Sequence, residues 1–120
     1  MGGKQKTLLY GTLDLLILKA ASSRPLHGYG IGQWLEAVSD DRIQVDESSL
    51  YPALYRLEEK GLLASSWGRS ELDRRAKFYR LTQAGRKRLQ TESGEWSEFT
   101  RAVAHVLASD ASGAATGEKG

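Results

Sequence analysis

The chain contains no cysteine, which excludes disulfide bonds and cysteine-ligated zinc sites. It also has no run of 18 apolar residues, so the sequence predicts no transmembrane span, and no basic-then-apolar secretory leader is recognisable. The absence of cysteine is compatible with a reducing, cytoplasmic setting, which we take as the expected location.

Patterns of catalytic residues are equally scarce. The two histidines, His27 and His105, have no carboxylates around them at metal-ligand spacing, and no nucleophile has a recognisable activating partner. The glycines do not form the GxxxxGK[ST] phosphate loop. His27 fits a turn anchor better than a base, and His105 fits a cation near a helix end. We therefore predict no enzyme, no metal site and no cofactor.

The most organised stretch runs from Ser48 to Gly61, SSLYPALYRLEEKG. Leu50, Leu54 and Leu57 recur at helical spacing and mark one buried face. Ser48 or Ser49 is the expected N-cap, which places a proline in the first turn, and Gly61 is the expected left-handed C-cap. The opposite face then displays five residues: Ser48, Tyr51, Pro52, Tyr55 and Glu59.

Charge is unevenly distributed along the chain. Residues 62–88 contain eight basic and two acidic residues, a local charge of +6, although the whole chain carries only +2. A compact basic block that follows a displayed helix favours a polyanionic partner.

The remaining periodicity predicts a mainly α fold with a small β-hairpin. The expected elements are a helix over 8–21, a turn over 22–27, a helix over 28–39, a short strand at 43–45, the Ser48 helix, strands at 62–67 and 76–81, and a last helix capped by Thr82. Three compact helices followed by a hairpin form a winged helix-turn-helix.

Four segments follow from this interpretation. Residues 1–7 are expected to be a flexible basic arm, 8–81 the DNA-binding domain, 82–108 a dimerisation helix, and 109–120 a disordered tail of small and polar residues.

Three blocks make the interpretation more specific: LHGYGI, LYPALYRLEEKGLL and RRAKFYRLTQAG. With their spacing they resemble the PadR family of bacterial transcriptional regulators over roughly residues 8–108. The single last helix resembles the small subgroup of that family. The resemblance implies a homodimeric repressor that binds double-stranded DNA at a palindromic operator.

The displayed helix supplies the first set of candidate DNA ligands. Ser48 and Ser49 suit a phosphate at the helix N-terminus, whereas Tyr51 and Tyr55, on either side of Pro52, suit phosphate or a thymine methyl. Partial burial is an equal alternative for Tyr51. Arg56, the helix's own cation, reaches the DNA backbone or pairs with Glu59.

This helix also departs from the family pattern. Many relatives have a lysine where this chain has Tyr55, and Glu47, Glu58 and Glu59 make the helix net acidic. Affinity for DNA is therefore expected to depend on the hairpin.

The hairpin tip supplies the second set of candidates: Arg69, Arg74, Arg75 and Lys77. Each can neutralise a phosphate, and Arg74 or Arg75 can enter a narrow minor groove. The alternative for a lone basic loop is simple solvation, but its position beside a displayed helix favours nucleic acid.

The last helix has an apolar seam with spacings of 7, 3, 4 and 3, typical of helix pairing: Leu89, Trp96, Phe99, Val103 and Val106. Ser93-Gly94 interrupts this seam as a candidate kink. By resemblance to drug-sensing small PadR proteins, Trp96 is a candidate contact for a planar aromatic effector; the alternative, which we favour, is ordinary packing in a dimer interface.

A winged-helix adaptor for another protein is the alternative function. Its natural contact would be the acidic face formed by Glu47, Glu58 and Glu59, and it would tolerate loss of the hairpin arginines.

Overall fold

The structure is a computed structural model in which residues 12–110 are described. Its elements, in order, are α1 (12–20), β1 (Leu26–His27), α2 (Gly28–Val38), α3 (Glu47–Glu59), β2 (Leu63–Arg69), β3 (Arg75–Leu81) and α4 (Gln83–Ala108). This order confirms the mainly helical fold with a winged helix-turn-helix and a long last helix. The predicted arm at 1–7 and all but the first two residues of the predicted tail lie outside the described residues.

The chain divides into two compact units at Gln90. The first contains α1–α3, the strands and the start of α4. Its three strands form an antiparallel sheet in the order β1-β3-β2. β2 and β3 pair from Leu63 opposite Leu81 to Arg69 opposite Arg75, so the strands extend further than predicted and the tip shrinks to residues 70–74. Asp73 turns the tip with a φ of 58°, a left-handed conformation that Asp tolerates better than most residues.

The prediction of a strand at 43–45 was wrong. Residues 43–46 have no regular secondary structure, and the short strand lies before α2, within the segment predicted as a turn. Leu26 and His27 pair with Tyr79 and Phe78 of β3. This pairing partner lies about fifty positions further along the chain, so local sequence gave no sign of it.

The buried core of this unit is made by one face of each helix and by the sheet. α3 contributes the predicted leucines and Ala53, all at most 3% exposed. The larger fully buried side chains are Leu13, Ile17, Leu18, Ile31, Leu54, Leu57 and Leu63. With its apolar side enclosed, α3 presents the opposite side to solvent.

The ends of α3 differ partly from expectation. Asp46, and not Ser48 or Ser49, is the N-cap: its carboxylate accepts a hydrogen bond from the Ser49 N–H at 3.2 Å, and the helix begins one residue before Ser48. Aspartate is as good a cap as serine, so composition alone did not separate them. At the other end Gly61 has a φ of 76°, which confirms the predicted left-handed residue.

The hairpin connects to α4 through Thr82, as predicted. Its hydroxyl accepts a hydrogen bond from the Gly85 N–H at 2.9 Å and donates to the Gly61 carbonyl oxygen at 2.7 Å. The same residue therefore caps α4 and ties it to the end of α3.

The second unit contains the rest of α4, which continues as helix through Ser93-Gly94 to Ala108. Residues 93–110 are all exposed. Among the described residues, no helix has both the length and the hydropathy needed to cross a membrane.

We expect Gly85→Ala to destabilise the first unit by about 2 kcal/mol or more, because overpacking at a rigid site is costly. A Cβ at this position would overlap the Leu62 carbonyl oxygen and lie 2.8 Å from Leu81 Cδ1. Thermal unfolding followed by circular dichroism measures the effect.

The matched control is Gly32→Ala in α2, where a Cβ meets no atom within 4 Å. Alanine has the higher helix propensity, so this variant should be more stable by up to about 1 kcal/mol. Equal effects of the two substitutions would contradict the packing at Gly85.

Candidate nucleic-acid interface

The exposed face of α3 carries two tyrosines. Tyr55 is 65% exposed and Tyr51 is 44% exposed, with Pro52 in solvent between them. The Tyr51 ring lies against Gly28 so closely that a Cβ there would be 2.6 Å from its Cε1. Burial, and secondarily the charge of Glu47, raise the pKa of Tyr51, so its hydroxyl remains protonated and able to donate. Tyr51 thus shows the partial burial weighed as one alternative, and its contact with DNA stays a prediction.

The N-terminus of α3 already holds a negative group. The Asp46 carboxylate accepts from the Ser49 N–H, and the Ser48 hydroxyl donates to the same carboxylate oxygen at 3.0 Å. A phosphate at this end would have to approach the Asp46 charge. The predicted role of Ser48 and Ser49 thus meets a competing intramolecular partner.

Arg56 pairs with a residue that the sequence did not suggest. Its guanidinium donates to Asp14 Oδ1 of α1 at 2.7 Å, so of the two alternatives the pair with Glu59 was wrong, and contact with the DNA backbone stays a prediction. A spacing of three residues, about one helix turn, makes Glu59 a neighbour of Arg56, but the local sequence does not reveal that Asp14 of α1 lies within hydrogen-bond distance of the guanidinium. The pair joins α3 to α1 and compensates the only basic residue within α3.

Glu58 joins α3 to both strands of the hairpin. Its Oε2 accepts from the Ser65 hydroxyl of β2 at 2.6 Å, and its Oε1 lies 3.4 Å from Nζ of Lys77 on β3. Both charged side chains are about one third exposed. The contacts of Glu58 with Ser65 and Lys77 thus form a brace between α3 and the hairpin. Glu58 is therefore not part of an open acidic face, and Lys77 is already paired with it.

Arg75 is held in place by an aromatic ring. Its guanidinium carbon lies 4.3 Å from the centroid of Trp67 on β2, within range for a cation–π contact. Trp67 is 58% exposed, so it lies on the hairpin surface rather than in the core. Arg75 has no acidic partner among residues 12–110.

The other two arginines among the predicted hairpin ligands, Arg69 and Arg74, differ in their surroundings. Arg69 donates to the Asp73 carbonyl oxygen at 3.1 Å and lies 3.4 Å from its carboxylate, but both side chains are largely exposed and such pairs are weak. Arg74 is exposed and has no ion pair within the described part of the chain. Of the four hairpin candidates, the two adjacent arginines at 74 and 75 are thus the ones without an acidic partner among residues 12–110.

A groove of about 610 Å³ separates the hairpin from the start of α2. His27 is one wall: its Nδ1 accepts from the Gly30 N–H at 2.9 Å, so the proton of the neutral ring lies on Nε2, 3.5 Å from Glu71 at the hairpin tip. A backbone hydrogen bond and the contact with His27 lower the pKa of Glu71. His27 is therefore a turn anchor, as predicted, and also a contact for the hairpin.

The seam residues of α4 fall into two groups. Leu89 is partly buried against the core of the first unit. In the second unit Trp96, Phe99, Val103 and Val106 are 39–70% exposed, and the rings of Trp96 and Phe99 are 5.9 Å apart. Four large apolar side chains thus line an open stretch of helix.

Sequence reasoning missed the contacts of Glu58 and Trp67. Trp67 lies directly opposite Lys77 and diagonally opposite Arg75 in the hairpin register, a spacing at which long side chains meet. The register would have revealed this pair, but it requires the true length of the tip. Among the described residues, no group of three potential ligands could hold a metal ion.

Comparison with known proteins is consistent with this geometry. Residues 17–91, which include the end of α1, α2, α3, the hairpin and the start of α4, match the PadR-like family of transcriptional regulators. The chain is 37% identical to the transcriptional regulator Rv3488 of Mycobacterium tuberculosis over 91 residues, covering 74% of this chain and 79% of that protein.

Solved structures show the same relationship. A transcriptional regulator from Clostridium thermocellum superposes with a TM-score of 0.75 at 29% identity, covering 86% of this chain and 99% of the other. A PadR-like transcriptional regulator from Bacillus cereus gives 0.75 at 26% identity, with coverage of 87% and 99%. The chain therefore belongs to the PadR-like family of transcriptional regulators, which act by binding DNA and are not enzymes.

Proposed function

We propose that this protein is a homodimeric repressor that binds a palindromic DNA operator. The observation that supports this most directly is the position of Arg74 and Arg75, which have no acidic partner within residues 12–110, on a hairpin that Glu58 links to α3 and its exposed tyrosines. Positive charge that is not compensated within the protein is available to phosphates.

The hairpin and α3 have different roles in DNA binding. The hairpin holds phosphates, or a narrow minor groove, through Arg74 and Arg75. α3 enters the major groove and presents Tyr51 and Tyr55, whose hydroxyls bond phosphate and whose rings pack on thymine methyl groups. Arg56 and Lys77 contribute mainly by holding the elements together, because each already has an internal carboxylate partner.

Dimerisation is assigned to the open stretch of α4. Trp96, Phe99, Val103 and Val106 repeat at the spacing of helix pairs and are too exposed to be stable without a partner. A two-fold pair of subunits predicts half-sites about 34 Å apart. Occlusion of a promoter by such a dimer is the simplest mode of repression, and Trp96 remains the candidate contact for a small-molecule effector that relieves it.

The adaptor alternative gains no support from the acidic residues. Glu58 is occupied by Ser65 and Lys77, so only Glu47 and Glu59 remain of the predicted acidic contact.

We expect Arg74→Ala and Arg75→Ala each to weaken DNA binding and to reduce the slope of log affinity against log salt by about one unit. Fluorescence anisotropy with labelled DNA from the gene's own upstream region, against scrambled DNA, measures both. Arg101→Ala, which removes the same charge from α4, is the control and should leave the slope unchanged. Failure of the wild-type chain to bind either DNA at low salt would overturn the proposal and favour the adaptor.

Glu58 and Glu59 offer a matched pair of substitutions. Each removes one negative charge from α3, but Glu59 is exposed and, in the part of the chain that the structure describes, has no link to the hairpin like that of Glu58. We expect Glu59→Ala to increase DNA affinity modestly. The DNA affinity of Glu58→Ala should be several-fold lower than that of Glu59→Ala, because the hairpin loses its link to α3. Equal affinities in the anisotropy assay would mean that the brace does not position the hairpin.

Phe99→Glu should dissociate the dimer, because a carboxylate buried in an apolar interface is costly. Sedimentation equilibrium measures the monomer–dimer constant. His105→Glu, on the other side of α4, is the control and should leave the constant unchanged. A Phe99→Glu protein that is still fully dimeric would place the interface elsewhere.

A further inference from the structure

The groove between the hairpin and α2 has the form of a small-molecule site. Its volume of about 610 Å³ lies within the range of about 300–1,000 Å³ typical of ligand pockets. It is formed within one chain, by residues of the first unit only. It is therefore separate from the α4 face that carries Trp96.

The walls of the groove are mainly aromatic. Trp67 and Tyr51 line it from β2 and α3, and the buried Tyr79 lines it from β3. On the α2 side Tyr29 stacks on His27, with ring centroids 6.4 Å apart and an interplanar angle of 18°. A groove with flat rings on both sides suits a planar aromatic molecule, which can stack as well as bury apolar area.

The rim of the groove is positively charged. Arg74 and Arg75 line it without acidic partners among the described residues, whereas the one acidic lining residue, Glu71, is in contact with His27. Arg75 already lies over Trp67, so a second ring or an anion meets a guanidinium whose position is set. This charge favours an anionic ligand.

Exposed apolar surface argues against the DNA backbone as the sole occupant. Leu72 is 69% exposed and lines the groove together with Tyr29, which is 59% exposed. Sugar and phosphate can satisfy the arginines, but they leave these apolar side chains without a matching partner.

From the aromatic walls and the cationic rim, we infer that this groove binds a planar aromatic anion and that the ligand competes with DNA. Competition follows because Arg74, Arg75 and Tyr51 serve both partners; this second part rests on the proposed function. The site would make DNA release depend on a small molecule without any contribution from the dimer interface.

Anilinonaphthalene sulfonate, an aromatic anion that fluoresces when bound in apolar surroundings, is a suitable probe. Titration of the full chain without DNA should give saturable binding of one molecule per chain. Trp67→Ala and Arg75→Ala should each weaken binding by about tenfold or more, as expected for an aromatic or arginine anchor. Both side chains are exposed, and thermal unfolding verifies that each variant folds.

Two further variants separate this groove from other surfaces. Arg80→Ala removes a positive charge from β3, the strand that carries Arg75, but Arg80 lies on the opposite face of the strand from Tyr79. This variant should change the affinity for the probe by less than about twofold, the size expected of a neutral surface substitution. Trp96→Ala removes the other candidate aromatic contact and should also retain binding. Loss of binding in Trp96→Ala with retention in Trp67→Ala, or equal binding by all variants, would overturn the groove as the site.

A competition experiment tests the link to DNA. The probe should displace labelled operator DNA from the wild type but not from Trp67→Ala. Probe binding without displacement would overturn the competition while leaving the site in place. Absence of DNA binding from the start would overturn the proposed function, and the direct titration would still decide the groove.

Discussion

Burial of one face of α3 is the constraint on which the rest of the molecule depends. Leu50, Ala53, Leu54 and Leu57 are enclosed by α1, α2 and the sheet, so rotation of α3 about its axis would expose leucine to water. The orientation of the core face fixes that of the opposite face. The tyrosines at 51 and 55 are displayed because the leucines are not.

Internal ion pairs then decide which charges remain for a partner. The hairpin and α3 together carry many charges, but Arg56 forms an ion pair with Asp14, and Lys77 forms one with Glu58. These partly buried pairs hold α3 against α1 and the hairpin against α3. They neutralise two cations, but they also fix the positions of these elements relative to one another. Of the four basic candidates on the hairpin, Arg74 and Arg75 keep no acidic partner among residues 12–110 and remain for a polyanion.

The hairpin tip also determines the shape of the groove. Trp67 positions Arg75 by contact with its guanidinium, and Glu71 approaches the ring of His27 at the start of α2. The same short segment thereby forms one wall of an aromatic groove and the cationic edge of the proposed DNA-binding surface. On the proposed function, a molecule in the groove and a duplex on the surface would compete, because both would require the same side chains.

Local sequence determined the features that arise from neighbouring residues. The period of the leucines predicted α3, the glycine at 61 its left-handed end, and Thr82 the start of α4, because each depends on a few consecutive positions. Tertiary structure alone decided the pairing of Leu26–His27 with β3, the partner of Arg56, the brace at Glu58 and the exposure of Trp67. Each of these joins residues distant in sequence, and their meeting depends on how the helices cross and on the register of the hairpin, which periodicity and composition do not encode.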